Sequence, residues 1–137
     1  MEILIKESDT LQSEIADKTE ILNQLEGKVK EWMEDHVEKR KLWFSSDFLP
    51  ADEKMDDDLE NNIKRLRERV RGVKDEVRVA VALNLLTEEG LPHFHRLIAQ
   101  HLGDRSFWSK WNNMWTAEED RHGALIRDYV RDARLFS

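Results

Sequence analysis

The chain has 137 residues, enough for one domain with its own core, and 37% of them are charged against 39% hydrophobic. It has no cysteine, which excludes disulfides and thiolate metal sites and suits a reducing cytoplasm. A net charge of −7 argues against non-specific nucleic-acid binding, and no apolar run approaches the roughly 20 residues that span a bilayer.

"MEILIKESDT" lacks the apolar core of a signal peptide, so a soluble cytoplasmic protein is expected. Two prolines and five glycines among so many charges point to long helices with no strand. A first helix is predicted from about Leu11 to Trp43, with Ile15, Leu22, Leu25, Val29, Trp32 and His36 on one stripe. Gly27 lies within it at a cost of about 1 kcal/mol. His36 reads as a satisfied histidine at the core edge. The connector "FSSDFLPADEKMDDD" contains Pro50 as a breaker and Asp56 to Asp58 as candidate N-caps. A second helix, Leu59 to Val70, is predicted to bury Leu59, Ile63, Leu66 and Val70.

"VRVAVALNLLTEEGLPHFHRLIAQHLG" is apolar on more than one face, which places it centrally. Pro92 removes the N–H that the Glu88 carbonyl would use, so a kink or bulge is expected there. Gly103 and Asp104 turn the chain. A last helix, N-capped by Ser106, runs to the end with Trp108, Trp111, Trp115, Glu119, His122, Ile126 and Tyr129 sharing a face. The prediction is therefore one all-α domain of four helices over residues 1–137, with the first helix and connector in 1–55 and the bundle helices in 56–137.

An ionisable pair on an apolar stripe needs a partner or a metal to offset its desolvation. Glu119 and His122, three apart, point the same way. With the turn near residue 103 or 104 and a rise of about 1.5 Å per residue, Glu88 in the preceding segment stands level with Glu119. One lone Glu and one Glu-x-x-His make half of the ligand set of a di-iron carboxylate bundle, which uses two of each. Carboxylates with one imidazole per metal suit iron or manganese. Glu-x-x-His also arises on helices by chance. Glu89 and Glu118 are neighbours that the pattern alone does not separate from the ligands, and Glu118 reads better as an ion-pair partner.

"LLTEEGLPHFHRLIA" followed by "WNNMWTAEEDRHGALIRDYV" resembles the soluble acyl-acyl-carrier-protein desaturases of plants and bacteria. "LWFSSDFLP" is similar to their connector, and the resemblance runs from about Trp32 to Phe136. It implies a ferritin-like helical bundle in which Glu88, Glu119 and His122 are iron ligands and Trp43 lies on an electron route to the site. It further implies an oxidoreductase of fatty acid biosynthesis. Such an enzyme uses dioxygen and electrons from reduced ferredoxin to place a cis double bond in a saturated acyl chain on acyl carrier protein. Its setting would be the cytoplasm, or the plastid stroma for a plant source.

The chain departs from the family in length. Family members are roughly twice as long, and their later half supplies the second lone Glu, the second Glu-x-x-His and an aspartate paired with the first histidine and the connector tryptophan. The chain therefore looks like a first half. A second copy, giving a homodimer with four Glu and two His, or a complementary segment would complete the site. Lys64, Arg65, Arg67, Arg69, Arg71 and Lys74 form a basic segment, either a solvated helix face or a docking strip for the acidic carrier with Lys64, Arg65, Arg67 and Arg71 foremost. His93, His95 and His101 read as surface or rim residues. Two other classes stay open: a non-catalytic or ferroxidase-like iron-binding helical dimer, and a metal-free helical interaction module.

Overall fold

The computed structural model describes residues 2–50, 57–103 and 106–136, the side chains of residues 2–9 and 57 apart. The fold is all-α. Five α-helices follow in order, with no strand among the described residues: α1 (Glu2–Lys39), α2 (Asp57–Val70), α3 (Asp75–Glu89), α4 (Leu91–Leu102) and α5 (Phe107–Ala133). A short 3₁₀ turn, Ser45–Asp47, lies between α1 and α2. No helix among the described residues is long and apolar enough to cross a membrane.

The chain divides into two compact units, Met1–Arg40 with Ile98–Asn112, and Lys41–Leu97 with Asn113–Ser137. In the first unit, α1 packs Leu22 and Val29 of the predicted stripe, but on a narrower face than expected. Leu22, Glu26, Val29 and Met33 are its buried or half-buried positions, whereas Ile15, Leu25, Trp32 and His36 are exposed. Two of the packed positions secure the start of α5. The Leu22 carbonyl accepts the indole N–H of Trp108 at 2.9 Å, and Glu26 Oε1 accepts the Phe107 N–H at 2.8 Å. A carboxylate at that place satisfies one of the unpaired N–H groups of a helix start and complements its dipole. Ser106 is the expected cap, its Oγ accepting the Ser109 N–H at 3.3 Å. Gly103 closes α4 with φ +72°, a left-handed conformation in which glycine carries no Cβ penalty. Asp56 and Asp104, named as cap and turn residues, lie outside the described residues.

In the second unit, α2 begins at Asp57 and buries Val70, with Leu59, Ile63 and Leu66 half-buried. Val70 joins Ala133 and Leu135 in the core, surrounded by Leu66, Val73, Val81, Tyr129 and Val130. Arg134 ends α5 by adopting φ +51°, and this turns the fully buried Leu135 inward. The Arg78 guanidinium donates to the carbonyls of Val70, Val73 and Leu135, so one side chain terminates α2 and anchors the turn after α5.

The segment predicted as one kinked helix is two. Pro92 leaves the Glu88 carbonyl without its usual partner, and α3 ends at Glu89 in a tightened turn closed by Gly90 N–H to Thr87 O at 3.1 Å. A new helix starts at Leu91. Pro92 then occupies its second position, where a missing N–H costs nothing. The first helix also ends earlier than predicted, at Lys39, so Trp43 sits in the connector rather than on a helix. Contacts between α3–α4 and α5 run in opposite sequence order: Arg78 meets Leu135, Glu88 meets Gly123 and His95 meets Thr116. The pairing is antiparallel. Val79, Leu83 and Leu86 form a second, exposed apolar stripe on α3.

Candidate metal centre

Glu88 lies on the last turn of α3, and Glu119 and His122 on consecutive turns of α5. One donor atom from each lies within 4.8 Å of the others. His122 Nδ1 and Glu119 Oε2 are 2.8 Å apart. The carboxylates of Glu88 and Glu119 are half-buried and the imidazole is more exposed. Three residues separated by up to 34 positions converge because the antiparallel register brings the end of α3 opposite the middle of α5.

The donor chemistry fits a divalent cation. Two carboxylate oxygens and one imidazole nitrogen, with no thiolate, are the ligand types that iron and manganese take. Two carboxylates drawn this close repel each other unless a cation or proton lies between them. Space for the cluster comes from Gly123, which is buried one residue beyond His122. A Cβ there would stand 3.3 Å from the Glu88 Cβ, tighter than an ordinary van der Waals contact.

The connector packs on the same group. The Trp43 ring stacks on the His122 imidazole with centroids 5.7 Å apart and planes 13° from parallel, and Phe48 meets Trp43 edge-on at 5.7 Å. Ser45 Oγ donates to Asp128 on α5 at 2.6 Å, which holds the connector beside the helix that bears the histidine. Neither Ser45 nor Asp128 carried a sequence signal, since they are 83 residues apart.

A cleft of about 520 Å³ opens beside the cluster, its walls including Glu88, Pro92, His95, Thr116 and Arg127. His95 is half-buried with Nδ1 2.7 Å from the Thr116 hydroxyl, so it bridges α4 and α5, whereas His93 and His101 are exposed. Glu89 is no ligand. It pairs with Arg127 at 2.7 Å, and Glu118 pairs with Arg121 at 3.9 Å. In the basic segment, Lys64, Arg65 and Arg71 are exposed, but Arg67 is half-buried and donates to the Asp132 carbonyl at 3.0 Å.

Residues 17–137 match the model of the fatty acid desaturase family. The acyl-[acyl-carrier-protein] desaturase DesA1 of Mycobacterium tuberculosis is 33% identical over 117 residues, covering 81% of this chain and 32% of that protein. The seed-specific chloroplastic stearoyl-[acyl-carrier-protein] 9-desaturase of Brassica napus is 33% identical over 121 residues, covering 82% of this chain and 30% of its own. The chloroplastic palmitoyl-[acyl-carrier-protein] 4-desaturase of Coriandrum sativum is 30% identical over 130 residues, 89% of this chain and 33% of its own. The chain thus spans about a third of the length of these relatives, rather than the half expected from the resemblance. With a helical bundle, a convergent Glu/Glu/His group and a match over nearly its whole length, the chain belongs to the fatty acid desaturase family.

Proposed function

We propose that this chain supplies half of the ligands of a di-iron centre in an acyl-acyl-carrier-protein desaturase, with Glu88 as the lone carboxylate and Glu119 and His122 as the Glu-x-x-His pair. The observation that carries the reading is the convergence of these three side chains from two antiparallel helices. Bound iron would supply the activation of dioxygen by which a saturated acyl chain loses two hydrogens, with reducing electrons from ferredoxin. The chain's own residues hold and shield that group. Glu88 and Glu119 offer carboxylate oxygens from a half-buried setting, and His122 offers an imidazole nitrogen on a ring that packs against Trp43. Trp43 is the proposed electron route, being the aromatic ring in contact with a ligand from the connector side.

A centre of this class takes four Glu and two His, so three more donors come from outside the three found here. A second copy of the chain, a separate polypeptide, or a further C-terminal segment would bring them. For the acyl carrier, the exposed Lys64, Arg65 and Arg71 are the proposed docking residues. Arg67 contributes less, because it is tied to Asp132. Reversing the charge of the exposed three would raise KM for the acyl carrier without changing kcat, more at low salt than at high. An unchanged KM removes the docking role.

Anaerobic titration with Fe²⁺ tests the metal reading, followed by ferredoxin-dependent turnover of a stearoyl carrier. Saturable uptake by the helical protein, weakened at least about tenfold in His122→Ala, is expected. Helical protein that takes up no Fe²⁺, or that binds it equally well without the imidazole, rejects the reading.

A further inference from the structure

Glu88 and Glu89 both sit in the last turn of α3, which contains no basic residue. The carbonyl end of a helix carries partial negative charge, so carboxylates there work against their own helix. Two consecutive glutamates at this place have no local reason; their partners are on α5. Glu88 faces Glu119 and His122. Glu89 Oε1 accepts from both Nε and Nη2 of Arg127, at 3.0 and 2.7 Å, across 38 residues of sequence.

Gly123 lies between these two contacts. A Cβ built there would meet Glu88 Cβ at 3.3 Å and Arg127 Nη2 at 3.9 Å, so the glycine touches both the ligand-bearing turn and the arginine. The hydrogen bonds from Arg127 to Glu89, and then the negative charge of Glu89, raise the pKa of the guanidinium above its usual value. Asp120 and Asp128 on the same helix add smaller contributions of the same sign, and partial burial works against them.

We propose that Glu89 and Arg127 form a clasp that fixes the height and rotation of the last turn of α3 against α5, thereby setting Glu88 opposite Glu119 and His122. Arg127 is a positioning residue and touches no metal. The inference rests on the metal reading for its purpose, but its geometry is measurable without metal. Both side chains are about half exposed, so the pair adds little to global stability, and its effect is local.

The test uses the metal-free chain in solution, followed by nuclear magnetic resonance. The cross-peak between the Gly123 Hα and Glu88 Hβ protons reports the spacing of the two helices at the site. In Arg127→Ala this cross-peak weakens at least about twofold, because the contact depends on sub-ångström placement. In the charge-reversed double variant Glu89→Arg with Arg127→Glu it returns. Fe²⁺ affinity follows the same order, falling about tenfold in the single variant and recovering in the double. A cross-peak unchanged in Arg127→Ala, or lost in both variants, overturns the clasp. A clasp that behaves as expected in protein that takes up no Fe²⁺ leaves the inference standing and rejects the metal reading instead.

Discussion

Replacing Gly123 with alanine sets two effects of opposite sign against each other at one atom. Within a helix, alanine is favoured over glycine by about 1 kcal/mol, so α5 alone would gain. The added methyl would stand 3.3 Å from the Glu88 Cβ, whereas carbon atoms rest at roughly 3.5–4.0 Å. Relief requires the last turn of α3 to retreat by about 0.2–0.7 Å, and overpacking of this kind costs about 1–3 kcal/mol. The net change in folding stability lies between nothing and a loss of about 2 kcal/mol, equivalent to a melting shift of at most about 8 °C in a domain of this size. The consequence for the cluster is larger, because ligand geometry tolerates only about 0.5 Å. Circular dichroism melting and Fe²⁺ titration of Gly123→Ala are therefore expected to diverge, with melting lowered by no more than that shift and affinity reduced about 10- to 100-fold. Affinity within a factor of two of wild type would show that the contact does not set the donor positions.

Three further predictions concern the scaffold. Leu135→Ala empties a fully buried site between α2 and α5 and should cost about 2–5 kcal/mol in urea unfolding. A smaller loss would mean that the turn after α5 is not part of the cooperative core. Arg78→Met keeps the length of the side chain but leaves three carbonyls without their charged donor, at a cost of about 2–4 kcal/mol read by thermal melting. Glu26→Ala uncaps α5 and should cost about 1 kcal/mol. Hydrogen exchange of the Phe107 amide should rise in that variant while amides deep in α5 stay protected, and equal protection at Phe107 would remove the capping role.

Periodicity located α5, and counting residues back through the turn brought Glu88 level with Glu119, because helices of known rise leave little freedom in height. The convergence of Glu88 with Glu119 holds even though the segment proved to be two helices, since only Gly90 separates them. Other features had no local signature. Apolar residues occur all round α1, so Leu22 and Val29 were legible but Ile15, Leu25 and Trp32 were placed with them, and Glu26 and Met33, which complete the packed face, were not. The Glu89–Arg127 pair and the Ser45–Asp128 bond join residues far apart in sequence, and a charged residue on a helix face is ordinarily solvated. Arg134 supplied the left-handed ending of α5 that sequence reading assigns to glycine.

Glu88 stands one residue from the end of α3, because the chain stops that helix at Glu89 and begins another at Leu91. A side chain midway along a helix is braced by backbone bonds above and below, but the terminal turn has bracing on one side only. The carboxylate from this position therefore hangs from a tip tied across to α5 by the Glu89–Arg127 pair, whereas Glu119 and His122 project from the middle of a 27-residue helix. Were that tie lost, a change in how one carboxylate reaches a neighbouring charge would be absorbed at the tip, without bending the helix opposite.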